Sequence, residues 1–389
     1  MRRALVTLFM LAAALHIAPP AAAMNRAVRI GILDGVGSFT FSSASEAAIV
    51  SETGVAVGSV RPREAWAARS AGRQLSLSVA GKTLSFSGPV RVIPLIGGAA
   101  EVPLVYIGSK WYRGLLEIRP GLVAVNEVPL EQYLYGVVPA EMPSKWPLEA
   151  LKAQAVAARS YTLAKLGDMA SRGYDLKPTT DHQVYGGAAK ERPETNYAVD
   201  ATRGEVLLFN GAPIPAFYCS AAGGYTDSAE TVWGGRSIPY LLPVPDFDQE
   251  APSYVWQSQL SAAALRNALG KLGVAIGDVV AIEPRERGYS GRVKTLAVRG
   301  TQGVKIVSGE RFRWATGLKS SLFNVAPVED GGRIVAFAFA GRGHGHGLGL
   351  SQWGARGMGT MGYNYAQILA HYYPGVQLAQ ASAQTAAYR

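Results

Sequence analysis

The segment 137–166 limits the possible fold more than any other part of the sequence, because two closely spaced prolines precede a long helix-forming run. It reads VVPAEMPSKWPLEALKAQAVAARSYTLAKL. Proline disfavours the α region at the residue before it, and the Pro139/Pro143 pair therefore predicts extended backbone at Ala140 and Met142. On this interpretation Glu141 lies on a stiff, non-helical loop.

A helix is predicted to begin at Trp146-Pro147. Proline suits the first helical position, and Glu149 complements the positive end of the helix dipole. Apolar and small residues then recur at helical spacing, as a stripe of Leu148, Leu151, Ala155, Ala158 and Thr162. Arg159 is predicted on the same helix face as Lys152. An acid and a helix-mounted cation suit a site that protonates an oxygen, but a lone glutamate in a loop is usually only solvated.

Composition indicates a loop-rich and strand-rich globular protein. The 389 residues are 48% hydrophobic and include 45 glycines and 22 prolines. The formal net charge is +10, or +8 without Arg2 and Arg3 of the first residues. The excess of basic over acidic residues would hold the protein near anionic cell-wall polymers or lipid head groups. The basic residues are scattered and form no nucleic-acid-binding motif, so we expect no nucleic-acid partner.

The first 23 residues have the pattern of a secretory signal. Arg2 and Arg3 precede an apolar run from 4 to 18, and Ala21-Ala22-Ala23 supplies small residues for cleavage. We therefore expect an exported protein, in the periplasm, cell wall or extracellular space, that contacts a membrane only through an uncleaved signal. Cys219 is the one cysteine, which predicts stability from packing and not from an internal disulfide.

The remaining pattern predicts an α+β protein. Short alternating runs, such as Leu75, Leu77 and Val79, indicate a β-rich accessory region over 24–125. A mixed domain is expected over 126–377, with a hairpin at Asn210-Gly211, a helix over 260–272 and a helix capped by Asn364. Residues 378–389 are predicted to be a frayed tail.

Two long runs resemble one known family. They are VPLEQYLYGVVPAEMPSKWPLEALKAQAVAARSYTLAK (128–165) and GRGHGHGLGLSQWGARGMGTMGYNYAQILAHYYPG (341–375). Both are similar to motifs of the stage II sporulation protein D family, also called the amidase-enhancer or LytB-type family. The resemblance implies a lytic transglycosylase that cuts peptidoglycan glycan strands without a cofactor. It also implies a signature helix on mainly antiparallel sheet and a glycine-rich loop that lines a cleft.

The resemblance further implies site residues. Glu141 would be the single acid and base, and Arg159 would bind substrate oxygens or orient the motif. Because a nearby cation would lower the pKa of Glu141, we expect no direct contact between the two. The expected substrate-binding residues are Lys152, Gln154, Gln183, Tyr185, Gly223, Gly224, Trp233, His344, Ser351 and Gln352.

Two other interpretations stay open. The chain could be a non-catalytic wall-binding protein that stimulates a partner amidase, in which case Glu141 is dispensable. It could also be a zinc-dependent wall hydrolase, with ligands among His182, Cys219, His344 and His346. His182 and Cys219 stand where family members commonly have a cysteine and a histidine, which speaks against that metal site.

Overall fold

The computed structural model describes residues 26–72, 74–97 and 102–381 of the chain. The predicted signal at 1–23 lies outside the described residues, and so does most of the predicted tail, from 382 onward. Within the described ranges, no helix combines the length and the apolar character needed to cross a bilayer.

The N-terminal region consists of two six-stranded antiparallel sheets, which confirms its predicted β-rich character. The strands are β1 (Ala27–Leu33), β2 (Ser38–Ser43), β3 (Ala47–Ser51), β4 (Ala56–Val60), β5 (Trp66–Ala71), β6 (Gln74–Val79), β7 (Lys82–Phe86), β8 (Val90–Pro94), β9 (Leu104–Ile107), β10 (Lys110–Arg113), β11 (Leu115–Arg119) and β12 (Val123–Pro129). One sheet has the order β1-β12-β11-β8-β3-β4 and the other β10-β9-β2-β5-β6-β7. Alternating side chains of both sheets, such as Ile30, Phe41 and Leu77, fill one shared core.

Strand β12 continues directly into the first helices. These are α1 (Leu130–Glu141), α2 (Leu148–Lys165) and α3 (Pro193–Ala201), with two single 3₁₀ turns at Ala170–Arg172 and Ala188–Lys190. Tyr133 and Val137 of α1 and Ala158 of α2 pack into the same apolar core as the two sheets. The helices that carry the signature residues are therefore fixed against the N-terminal sheets.

The rest of the chain adds short strands and helices around two further large cores and one small apolar cluster. The elements are β13 (Glu205–Phe209), β14 (Ala212–Pro213), β15 (Tyr218–Cys219), α4 (Ala229–Trp233), β16 (Val255–Ser261), α5 (Ala262–Lys271), β17 (Val279–Arg287), β18 (Val293–Gly300), β19 (Gly303–Ser308), α6 (Gly309–Thr316), β20 (Phe323–Asp330), β21 (Arg333–Arg342), β22 (Leu350–Ser351), α7 (Gln352–Thr360), α8 (Tyr365–Tyr372) and β23 (Gln377–Gln380). Three antiparallel sheets have the orders β14-β13-β23, β16-β21-β20 and β17-β18-β19, while β15 and β22 form a parallel pair. The α+β class is confirmed.

Some local predictions are confirmed and others are wrong. Helices α5 and α8 form where expected, and Asn364 caps α8 in a capping box with Gln367. The hairpin after Asn210 is shorter than predicted: only 212–213 form a strand along β13, Ile214 adds one bond to the carbonyl oxygen of Leu207 at 3.0 Å, and the paired segment ends before Pro215, a residue type that is disfavoured within strands. Residues 378–380 are not frayed, since β23 pairs antiparallel with 205–208 of β13.

Candidate active site

Glu141 is the last residue of α1 and not part of an extended loop. Pro139 lies inside this helix, and Ala140 is helical as well. The predicted loop conformation of Ala140 and Glu141 was therefore wrong, because the restriction applies to the residue before a proline and Ala140 follows one. Met142, which precedes Pro143, is extended at φ −128° and ψ 137°, and it ends the helix.

Three polar groups surround the half-buried carboxylate of Glu141. Its Oε1 accepts a hydrogen bond of 3.1 Å from the backbone N–H of Val184, and its Oε2 accepts one of 3.1 Å from Nε2 of Gln352. The Tyr218 hydroxyl is the third polar group nearby: Tyr218 lines the same cleft, and its hydroxyl donates to Oε1 of Gln183 at 3.0 Å. Burial is the largest influence and raises the pKa of Glu141, while the hydrogen bonds from Val184 and Gln352 oppose the rise. The net effect favours a protonated carboxyl at higher pH than usual.

A tight packing of backbone segments places Tyr218 and Gln352 beside Glu141. The parallel pair β15–β22 joins Tyr218 to Leu350, and Ser351 caps α7 by accepting the N–H of Gly354 at 3.2 Å. Gly349 has φ +62°, and a Cβ there would lie 2.1 Å from a backbone carbonyl oxygen in the strand region before Tyr218. Only glycine allows this approach. The glycine-rich run thus brings the start of α7 to the end of α1.

Glu141 and Gln352 line a cleft of about 610 Å³. Of the predicted substrate-binding residues, Trp233 and His344 reach it as well, and the segment 344–346 of the glycine-rich loop forms part of its wall. The cleft is also lined by residues that the sequence did not single out, namely Glu310, Arg313, Trp314 and Lys319. Trp314 is 62% exposed although it lies in the amphipathic helix α6, and only the fold shows that it faces the cleft.

Gln154, Gln183 and Tyr185 lie behind the cleft wall. Gln183 is buried; its Nε2 donates to Oγ1 of Thr162 at 2.8 Å, and its Oε1 accepts the Tyr218 hydroxyl at 3.0 Å. Gln154 is buried with its Oε1 3.5 Å from Nε2 of Gln352, and Tyr185 is buried against aromatic rings. These residues fix the groups around Glu141 and do not face the cleft.

Arg159 lies in the protein interior, away from the cleft. Its guanidinium forms a bidentate pair with Glu131, at 2.9 Å and 2.7 Å, and also donates to the carbonyl oxygens of Val199 and Glu205, each at 3.1 Å. Both partners of the ion pair are almost fully buried. As expected, Arg159 does not contact Glu141. Of its two predicted roles, substrate contact is excluded by this burial, while orientation of the motif agrees with these bonds. Arg159 instead ties α1, α2, α3 and β13 together.

The other predicted substrate-binding residues also have internal partners. Lys152 pairs with Glu149 at 2.8 Å, outside the cleft. The backbone N–H groups of Gly223 and Gly224 donate to the carboxylate of Asp248 at 2.6 Å and 3.0 Å. Ser351 is used as the cap of α7. None of these four residues lines the cleft, because the polar groups named here are already paired within the fold.

The proposed zinc ligands do not form a metal site. His182, Cys219, His344 and His346 all line the cleft, yet in the described ranges no three His, Cys, Asp or Glu side chains come close enough to share an ion. Nδ1 of His346 accepts the N–H of Leu348 at 3.0 Å, and burial lowers the pKa of this histidine to about 3. Burial raises the pKa of the Cys219 thiol to about 12, which disfavours the thiolate that zinc requires.

Comparison with known proteins finds relatives of this chain. Residues 119–209 match the family described as stage II sporulation protein, and residues 242–349 match a domain of unknown function. An uncharacterized protein of Brachyspira hyodysenteriae is 34% identical over 70% of this chain and 73% of its own. Stage II sporulation protein D of Bacillus subtilis is 34% identical over 67% of this chain and 77% of its own. The amidase enhancer of the same organism is 34% identical over 63% of this chain and 40% of its own.

Proposed function

The chain belongs to the stage II sporulation protein D family, and on that basis we propose that it is an exported cell-wall protein that cleaves peptidoglycan glycan strands. The proposed activity is that of a lytic transglycosylase. The observation that carries the proposal is the carboxyl of Glu141, which lies in a glycan-sized cleft with its pKa raised by burial and with neutral hydrogen-bond donors around it.

One carboxyl is sufficient for this reaction. The neutral Glu141 carboxyl donates its proton to the glycosidic oxygen between N-acetylmuramic acid and N-acetylglucosamine, and the bond from that oxygen to C1 breaks. The 6-hydroxyl oxygen of the muramic residue forms the new bond to C1, and the Glu141 carboxylate takes the hydroxyl proton. The product is a 1,6-anhydro end, and the enzyme regains its starting protonation state. The N–H of Val184 and Nε2 of Gln352 would stabilise the carboxylate between the two transfers.

The walls of the cleft fit a sugar chain. The indoles of Trp233 and Trp314 are 45% and 62% exposed, and partly exposed aromatic faces can stack on sugar rings. The guanidinium of Arg313 lies 4.9 Å from the Trp314 ring centre and keeps that ring in place. We therefore assign substrate contact to the residues that line the cleft. The buried residues behind them support the cleft lining.

A second candidate is stimulation of a partner amidase without catalysis. It is favoured by the similarity to a protein named amidase enhancer. In that case the cleft binds glycan, but Glu141 transfers no proton.

The two candidates are separated by product analysis. Glycan strands, with and without stem peptides, are incubated with the wild type, with Glu141→Gln and with Asp181→Asn, a second carboxyl of the cleft that pairs with Lys177. Mass spectrometry of the soluble fragments identifies the new ends. We expect anhydro-muramic ends from the wild type and Asp181→Asn, and at least about a 100-fold loss for Glu141→Gln.

Other outcomes change the assignment. Reducing ends that also require Asp181 would indicate hydrolysis by two carboxyls. Glycan binding without release by the wild type would favour the enhancer function.

A further inference from the structure

The N-terminal sheet with the order β10-β9-β2-β5-β6-β7 carries a row of polar and aromatic side chains on its outer face. Trp111 of β10 pairs with Tyr106 of β9, and Tyr106 pairs with Ser42 of β2. Directly paired residues of neighbouring strands lie on the same face of a sheet. Phe41 and Tyr112, which are adjacent in sequence to Ser42 and Trp111, belong to the apolar core. Because successive side chains of a strand alternate between its faces, the row points away from that core.

Short neighbouring side chains turn this row into a pocket of about 490 Å³. Ala44 and Ala65 line it with only a methyl group each and leave a depression beside the larger rings. The rings of Tyr106 and Trp111 are partly exposed, with centres 5.4 Å apart and an angle of 60° between their planes. They therefore form a corner with two aromatic sides. Partly exposed aromatic faces of this kind can stack on a sugar ring.

Three polar groups of the pocket have no partner in the part of the chain that the structure describes. The Ser42 hydroxyl is shielded from solvent and makes no hydrogen bond, although buried polar atoms are nearly always paired. The hydroxyl of Tyr106 and the indole N–H of Trp111 are also unpaired within the described ranges. Together they offer donors and acceptors to a ligand that has hydroxyl and amide groups.

Arg63 contributes the one positive charge among the residues that line this pocket. Its φ of +61° is a left-handed conformation that a residue with a side chain rarely adopts. A hydrogen bond of 2.7 Å from its N–H to the carbonyl oxygen of Ser43 holds this conformation. The Arg63 side chain is exposed and has no ion-pair partner among the described residues. Its guanidinium is therefore available to an anionic group of a ligand.

We propose that this pocket is a second sugar site, which binds an N-acetylmuramic acid residue of the wall glycan outside the catalytic cleft. The sugar ring packs in the corner of Tyr106 and Trp111, the acetamido group pairs with Ser42, and the lactyl carboxylate pairs with Arg63. A neutral sugar would leave Arg63 unused, and a simple anion such as phosphate would leave both rings unused. The choice of occupant rests on the proposed function, in which the chain acts on this glycan.

The pocket is separate from the cleft but is fixed to it through strand β10. The two cavities share no lining residue. A Cβ at Gly187 would lie 2.6 Å from the carbonyl oxygen of Trp111, so the backbone of β10 packs directly on this glycine. Val184, whose N–H binds Glu141, lies three residues earlier, and three residues span at most about 11 Å. Glycan bound in the pocket is therefore held by the same rigid unit that holds the catalytic carboxyl.

The test follows tryptophan indole N–H resonances by NMR in the ¹⁵N-labelled full chain. N-acetylmuramic acid is added in one titration, and N-acetylglucosamine, which lacks the lactyl carboxylate, in another. The resonance lost in Trp111→Phe reports the pocket, and the one lost in Trp314→Phe reports the cleft. We expect the Trp111 resonance to shift, with a dissociation constant about fivefold lower for N-acetylmuramic acid than for N-acetylglucosamine.

A matched pair of variants tests the role of the charge. Arg63→Gln should remove the fivefold preference at Trp111. Arg69→Gln should keep it, because Arg69 is an exposed arginine of β5 that does not line the pocket. Should Arg63→Gln fail to fold, the wild-type preference between the two sugars decides alone.

Two results would overturn the proposal. One is a Trp111 resonance that does not move while the Trp314 resonance shifts. The other is equal affinity of the pocket for the two sugars in the wild type. The titration measures binding without cleavage, so a chain that releases no glycan ends but shows the Trp111 shift would refute the proposed activity and support this site.

Discussion

The buried ion pair Arg159–Glu131 should contribute to stability and not to substrate binding. Arg159 makes four hydrogen bonds, two to Glu131 and two to backbone carbonyls, with no exposed surface. Arg159→Met leaves the Glu131 carboxylate buried, with the Gly204 N–H at 3.2 Å as its one remaining donor among the described residues. Removal of one partner from a buried pair costs about 3–5 kcal/mol.

A double variant separates the cost of the unpaired carboxylate from the cost of the lost backbone hydrogen bonds. Arg159→Met combined with Glu131→Leu removes both charges, so only the two carbonyl bonds and the Gly204 bond lose a partner. At about 1 kcal/mol for each such bond, and with the gain from apolar packing, the double variant should be more stable than Arg159→Met by about 2 kcal/mol or more. A stabilising second substitution would show that the cost of the single variant comes from the unpaired carboxylate.

The assay is urea unfolding followed by circular dichroism, with glycan cleavage measured per folded molecule. We expect low stability for Arg159→Met, partial recovery in the double variant, and substrate affinity close to wild type in both. The reasoning would be refuted by an Arg159→Met protein with wild-type unfolding and lost glycan affinity, because that result requires Arg159 to contact substrate.

Three further predictions concern the loop, the pH dependence and the cleft. Gly347→Ala should cost several kcal/mol more than Gly362→Ala in the free energy of unfolding, since both glycines have positive φ but a Cβ at 347 would meet the Arg292 guanidinium at 2.2 Å and one at 362 meets nothing. Burial first, and a neighbouring carboxylate second, raise the pKa of Asp248 to about 7. The native state then holds this proton between the unfolded pKa of about 4 and pH 7, so stability should fall across that window as the pH rises, with a smaller slope for Asp248→Asn in thermal melts. Trp314→Ala in a Glu141→Gln background should weaken glycan binding about threefold to tenfold by calorimetry with an unchanged melting temperature, because the ring is mostly exposed.

Local sequence signals predicted the local structure well. The Asn364 cap depends on residues within one helical turn, and the alternation of Leu75 and Leu77 depends on one strand. Both features could be predicted because the residues that cause them are neighbours in the sequence. One error came from a local rule applied to the wrong residue, since Ala140 follows Pro139 and stays in the last turn of α1. Another arose from tertiary packing, because the backbone N–H of Gly223 is used by the carboxylate of Asp248.

The site itself depends on contacts that no local pattern contains. In the sequence, Glu141 is 43 residues from Val184 and 211 residues from Gln352. Only the fold brings these residues into hydrogen-bond contact. Family motifs supplied Glu141 and Gln352 because both lie in the two long runs. They gave no reason to separate the residues that face the cleft from those that support its walls, such as Arg159, since burial is decided by how the helices pack.

The central claim is that Glu141 transfers both protons and that no water enters the reaction. Digestion of glycan strands in H₂¹⁸O tests it directly, because hydrolysis places the solvent oxygen on C1 of the new muramic end and attack by the 6-hydroxyl does not. We expect anhydro ends without ¹⁸O from the wild type and almost no new ends from Glu141→Gln. New ends that carry one ¹⁸O atom would contradict it.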